Sequence, residues 1–533
     1  MSNLKLRALA GACALLGAAG LSGAARAQTT TTLSGGGSAL AAPYWAQAVL
    51  CFDNDTQNKT YLLKGVPAVS ALTLATTEIG CPHNKGSLIQ YDSTGSGTGQ
   101  AGLFAHAAVI SDAAEGVMFG STDAAGETAV YTSIQYGLSD SSLGGTDLAT
   151  YEVGTGNTLT TIFFGNSASY TAPATYQGLT FSGDAPHVAG ADAYPIPAQL
   201  YGPLVQFPVT IDPIAVTFNP TFGSGQTFNI QNGNVLELSK AAYCQIFAGV
   251  ITDWNDPALT TLNDGVSLTG GTEVLIRPIG RSDSAGDTAI FTRHLATVCG
   301  TTAGGPLAGN PYASGTMTLP AGVFGLFTMA DGATGVANAV KSTPASIAYI
   351  GADFVSPASA KTGATPGFTL PAAALQNNAG NFERPTGATA LAAFGALTPP
   401  QSNSDGSFNP ADATSDRRDP TQWVQSMAAG VPLANPTALA AYPIVGTTNF
   451  IAYTCYANAA QLTALKNFLT FNAQTLAGDF LNDASLAQLP ANWITAIGNT
   501  FLTDTGEASE LQLYFAMAGA GSTNSNCEDA VGG

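Results

Sequence analysis

Three turns rich in glycine and serine, and one arginine, carry the chemistry this sequence offers. Gly35-Gly36-Gly37-Ser38-Ala39-Leu40 precedes a stretch with helical apolar spacing, and Asp92-Ser93-Thr94-Gly95-Ser96-Gly97 forms a second turn. Arg281-Ser282-Asp283-Ser284-Ala285-Gly286-Asp287 opens a third, again ahead of a helical pattern. Such turns expose backbone N–H groups, and at a helix start these groups and the helix dipole together attract an anion. An arginine beside the turn adds a rigid, permanently charged fork of donors. A single turn of this kind is more often a plain turn than a ligand site. Three of them, with an arginine in a chain holding only 16 basic residues, point to a bound oxyanion.

Other chemistries are hard to place. No H-E-x-x-H or G-x-S-x-G motif occurs, and the four histidines are dispersed. His294 falls on the apolar face of a helical pattern, which assigns it to packing. Asp53-x-Asp55 reads as a turn rather than a cation site. No catalytic residue, metal ligand or cofactor is assigned. The 533 residues include 35 acidic against 16 basic side chains, a net charge of −19, so the chain lacks the basic face that nucleic acid selects.

The elements that must position these turns follow from the pattern around them. Residues 1–27 are expected to be a signal peptide: Lys5 and Arg7 form the positive start, Ala8 to Gly23 the apolar stretch, and Ala25-Arg26-Ala27 the cleavage pattern. Losing those three cations takes the charge from −19 to −22. No later run reaches the ~18 apolar residues of a membrane span, so an exported soluble protein is expected. Six cysteines remain, Cys51, Cys81, Cys244, Cys299, Cys455 and Cys527, and no C-x-x-C pair among them suggests zinc. An even count in an oxidising compartment favours disulfides. Fifteen connectivities are open, and our guess is the sequential one, 51–81, 244–299 and 455–527.

Glycine-rich loops alternating with β-branched strands and amphipathic helices indicate an α/β fold. A helix is expected over 43–51, with Tyr44, Ala48 and Val49 on one face. Residues 205–218 read as strand, break at Asp212-Pro213, then strand. Ser239 is a plausible N-cap, and a stronger helix spans 288–299. Two stretches, about 132–200 and about 359–435, look inserted.

At these residues the chain resembles the phosphate-binding subunit of bacterial phosphate ABC transporters, with a closer likeness to its DING subgroup. LSGGGSALAAPYW, YDSTGSG, FGSTDAAG, YCQIFAGVITDWNDP, GRSDSAGDTAIFTRHL and IAYIGADF follow family order. YPIVGTTNFIAYTCYANAAQLTALKNFL and LPANWITAIGNTFL then look distinctly DING-like. The resemblance implies a two-lobed periplasmic-binding-protein (type II) fold. Lobe 1 would comprise 28–211 and 442–533, and lobe 2 residues 212–441. It also implies bridges Cys244–Cys299 and Cys455–Cys527, with Cys51–Cys81 as an addition.

By that resemblance, Leu40 and Gly286 would donate backbone N–H groups to phosphate, and Ser96 a hydroxyl. Asp123 would accept the ligand's proton, and Arg281, positioned by Asp283, would supply the positive charge. Three family hydroxyl positions are changed, to Ala39, Ala285 and Asp287. A lost donor to a charged ligand costs about 1.5–3 kcal/mol. Two losses alone amount to about a hundredfold or more in affinity. Asp287, at the first position of its helix, would make a good N-cap that accepts the N–H groups phosphate needs and so acts as a built-in competing anion, while Ser38 and Ser284 could compensate. The implied function is an exported, periplasmic or secreted solute-binding protein for phosphate or a related oxyanion, with a diverged site and an ABC transporter permease as partner. A phosphatase-like secreted enzyme, or a secreted interaction protein that has lost phosphate binding, are the alternatives.

Overall fold

The computed structural model describes residues 31–53, 87–106, 111–112, 116–117, 133–145, 147–148, 151, 158–159, 170–171, 197–282, 285–299, 328–355, 370–400, 417–424, 432–473, 481 and 484–533. The expected signal peptide, Asp55, Cys81, Asp123, Asp283 and Ser284 lie outside them.

Eight strands form one mixed sheet. In chain order they are β1 (Thr31–Gly37), β2 (Ser87–Asp92), β3 (Tyr136–Ser139), β4 (Leu204–Phe218), β5 (Arg277–Arg281), β6 (Thr328–Ala330), β7 (Ser346–Gly351) and β8 (Val445–Tyr453). Their order across the sheet is β6-β5-β7-β4-β8-β3-β1-β2. On one side β1 runs parallel to β2 and β3. On the other, β5 runs parallel to β6 and β7. The two sides meet through β4 and β8, which are antiparallel to each other and to β7 and β3 respectively. Every residue of β8 is buried, as expected for a strand covered on both faces. The register across the seam is fixed by aromatic stacking: Phe450 lies between Tyr136 and Phe207, with ring centroids 5.3 and 5.7 Å away.

The break expected at Asp212-Pro213 is absent. β4 is a single strand of fifteen residues. Proline is tolerated because β4 changes neighbours there, pairing with β8 up to Pro213 and with β7 from Ile214. The ladder's irregularity falls instead between Thr448 and Asn449, opposite Pro208, whose missing N–H suits a bulge. The stretch read as inserted at about 132–200 contributes β3, a central strand. The one at about 359–435 contributes a helix, Gly387–Phe394, whose Ala390 and Phe394 join the main core.

Helices follow the strands much as the apolar spacing predicted. α1 (Ala42–Asp53) buries Tyr44, Trp45, Ala48, Val49 and Phe52, and α2 is Ser96–Ala105. α3 (Lys240–Phe247) is capped by Ser239, whose hydroxyl accepts the Ala242 N–H. α4 spans Gly286–Cys299. His294 on α4 is core: Nε2 meets the Tyr243 hydroxyl at 3.0 Å and Nδ1 the Ala434 carbonyl at 2.8 Å. Burial holds its imidazole down at about 4, so it stays neutral. Disulfides join Cys244 to Cys299 and Cys455 to Cys527. Cys51 is also disulfide-bonded.

Candidate functional site

Strand direction brings the functional turns together. In open α/β sheets ligands bind beyond the carboxyl ends of the parallel strands. Here β1 runs out into Ser38–Leu40, β2 into Ser96 at the start of α2, and β3 into Asp140. From the other side β5 ends in Arg281, just before α4. Ser139 at the end of β3 pairs with Asn449, which pairs with Pro208, while Gly351 at the end of β7 pairs with Ile214. Both sets of carboxyl ends therefore converge on the middle of β4, near Asp212.

Asp140 is the focus of the first side. Its carboxylate accepts from the Ser38 hydroxyl at 2.6 Å, the Ser96 hydroxyl at 3.0 Å and the Thr448 hydroxyl at 2.7 Å. Ser96 Oγ in turn accepts the Asp140 N–H at 3.0 Å. The Leu40 N–H lies 3.3 Å from Ser38 Oγ, and the Tyr91 hydroxyl donates to the Ser38 carbonyl. Gly37 permits this loop: its φ of 129° and its approach to the Gly99 backbone leave no room for a side chain.

From the second side, Arg281 Nη1 donates to Asp287 Oδ2 at 2.5 Å, with both side chains almost wholly buried. Asp287 stands in the first turn of α4, and the Tyr349 hydroxyl ties that turn down through Thr288 at 2.7 Å. The two sides touch at Gly286. A Cβ built there would lie 2.5 Å from Ser96 Oγ and 2.7 Å from Asp140 Oδ2, and would collide with Asp140 Cβ as well.

Two further carboxylates complete the cluster. Asp212 Oδ2 accepts from Thr210 at 3.0 Å and lies 2.8 Å from Thr448 Oγ1. Asp353 follows β7 beside Gly351 and Leu40 and is fully buried. Burial pushes Asp140 up to about 6, against the pull of the Ser38 and Thr448 hydroxyls. It pushes Asp212 up to about 7, with the nearby charge of Asp140 adding to the effect. Asp353 rises well above the usual carboxylate range, from burial first and then from Asp212. Like charges this close cannot all ionise.

The structure thus gathers Ser38, Leu40, Ser96, Arg281, Gly286 and Asp287. Ala39 packs among apolar side chains that include Ile350 and Phe354. Ala285 lies just before α4, its carbonyl accepting the Ala289 N–H. Asp123, Asp283 and Ser284 are outside the described residues. Sequence reasoning missed Asp140, Asp212, Thr448 and Asp353. Asp140 carried a signal, a Ser-Asp pair followed by small residues (Ser139-Asp140-Ser141-Ser142), but it sat inside a stretch read as inserted.

Two sets of strands aiming their carboxyl ends at a pair of crossing strands define a two-lobed binding protein. The chain belongs to the PBP superfamily, whose domain model matches residues 22–474. It is 31% identical over 317 residues to alkaline phosphatase L of Pseudomonas aeruginosa, covering 57% of this chain and 69% of that one. It is 29% identical over 324 residues to a phosphate-binding protein of an unknown prokaryotic organism, covering 58% and 75%. Among solved structures, a human phosphate binding apolipoprotein superposes with a TM-score of 0.56 at 23% identity, over 94% of this chain and 99% of that one. A high affinity periplasmic phosphate-binding protein (PfluDING) gives 0.55 at 22% identity, over 90% and 98%.

Proposed function

We propose that the protein is an exported solute-binding protein for phosphate or a closely related oxyanion. The observation that carries this reading is the convergence of Ser96, Asp140, Gly286 and Arg281 on one buried spot between the two sets of strands. Hydroxyls, a helix start and one guanidinium supply donors to an oxyanion, and Asp140 supplies an acceptor for its proton. The phosphate-binding relatives support the choice of ligand. The positive first residues and following apolar stretch support export. No helix among the described residues is long and apolar enough to cross a membrane. Delivery to an ABC transporter permease is part of the same proposal.

Asp287 sets the affinity. Its carboxylate already occupies the Arg281 fork, so a ligand must share that guanidinium with a resident anion. Calorimetry of the refolded, phosphate-stripped protein with inorganic phosphate tests the reading, and absence of heat at millimolar phosphate would overturn it. Asp287→Thr combined with Ala285→Ser is expected to tighten binding by about tenfold or more, since a charge-assisted hydrogen bond contributes about 1.5–3 kcal/mol.

A further inference from the structure

The bridge between the crossing strands and the site has a proton count that does not balance with ionised carboxylates. Thr448 Oγ1 lies 2.7 Å from Asp140 Oδ1 and 2.8 Å from Asp212 Oδ2. A hydroxyl carries one proton and donates one such bond. The second contact holds only if one of the carboxyls brings a proton of its own. Asp140 already receives the Ser38 and Ser96 hydroxyls, the surroundings of an ionised carboxylate. Asp212 receives the Thr210 hydroxyl and, more weakly, the Thr448 backbone N–H besides, and its Oδ1 has no hydrogen-bond partner among the described residues. A neutral acid tolerates an unpartnered oxygen in a buried site far better than a carboxylate does.

We infer that Asp212 is held as the neutral acid, donates its proton to Thr448, and thereby commits the Thr448 hydroxyl to Asp140, making Asp212 the positioning residue that keeps Asp140 ready for the ligand's proton. The inference deepens the phosphate-binding reading and, in its ligand-binding arm, rests on it. No cation offsets Asp212 among the described residues. The groups facing it are Thr210 on its own strand, Thr448 of β8, Asp140 after β3, Asp353 after β7 and Tyr44 of α1. Beyond Asp140 stand Asp287 and Arg281, which are paired with each other. Loss of the Asp212 proton to solvent places a second negative charge beside Asp140 and leaves one hydroxyl proton for two carboxylates. Ligand binding is therefore tied to that proton.

Two measurements test it. In the ligand-free protein, infrared difference spectra at pH 6 should contain a protonated-carboxyl carbonyl band that Asp212→Asn removes. Spectra in which the variant and parent bands are identical would overturn the inference whether or not phosphate binds. In calorimetry with inorganic phosphate, Asp212→Asn should match the parent at pH 6. Between pH 6 and 8.5 the parent should lose at least about fivefold more affinity than the variant, because the variant lacks the Asp212 carboxyl while every other titrating group is common to both. Taking the ratio of the two proteins removes phosphate's own ionisation. Equal pH slopes, or loss of binding in the variant at pH 6, would overturn the assignment. Heat from neither protein would instead count against phosphate as the ligand, with the infrared arm still deciding the proton.

Discussion

At the residue scale, four acids gather at the site and the arginine there is paired with one of them. Arg281 pairs with Asp287, while no opposite charge acts on Asp140, Asp212 or Asp353 among the described residues, and hydroxyls and burial settle their protonation. Asp353 shows the cost most plainly, because it is fully buried and, among the described residues, only the backbone N–H groups of Asp353 and Phe354 stand near its carboxyl. Its carboxyl is raised above the unfolded value, so the folded state binds the extra proton. The stability this provides is present at low pH and is lost as pH rises toward the folded value. Asp353→Asn should therefore raise the melting temperature at pH 8 more than at pH 5. Thermal denaturation at the two pH values checks this, and an equal change at both would count against it. Asp287 was legible in the sequence because a carboxylate in a helix's first turn has a known consequence. Asp212 and Thr448 were not: they lie 236 residues apart, and only strand pairing brings them within hydrogen-bond distance.

At the element scale, α4 matters through its first residue. Gly286 has no side chain where Ser96 and Asp140 come up against it, and a methyl group there would have to push one side away from the other. Gly286→Ala is expected to abolish phosphate binding while leaving the far-ultraviolet dichroism unchanged; binding retained within threefold would show that the approach is not required. The cap on α3 is an independent check on local structure. Ser239→Ala should cost about 1 kcal/mol in urea denaturation, since it removes the acceptor for the Ala242 N–H. Helices were readable because their apolar spacing is local, and α1, α3 and α4 fall close to where the pattern put them. β4 was misread because a proline inside a strand ordinarily signals a break. Whether it does depends on which neighbour would have accepted its N–H, and that neighbour arrives from elsewhere in the chain.

At the scale of the whole molecule, each of the two disulfides described in full stays on one side of the crossing strands. Cys244–Cys299 ties α3 to the end of α4, and Cys455–Cys527 holds the final residues to the strand region after β8. Replacing Cys299 or Cys527 by Ser should lower stability by roughly 2–4 kcal/mol per bridge, read as the drop in urea midpoint. The sheet order has a consequence for biogenesis. β8 is the last of the eight strands to be synthesised, yet it sits in the middle of the sheet, between β3 and β4. Until it emerges, both neighbours present bare edges to any other chain in the same state. A nascent chain is thus exposed to self-association from the completion of β4 at Phe218 until β8 emerges at Val445. The protein's yield in a cell then depends on how its unfinished forms are kept apart.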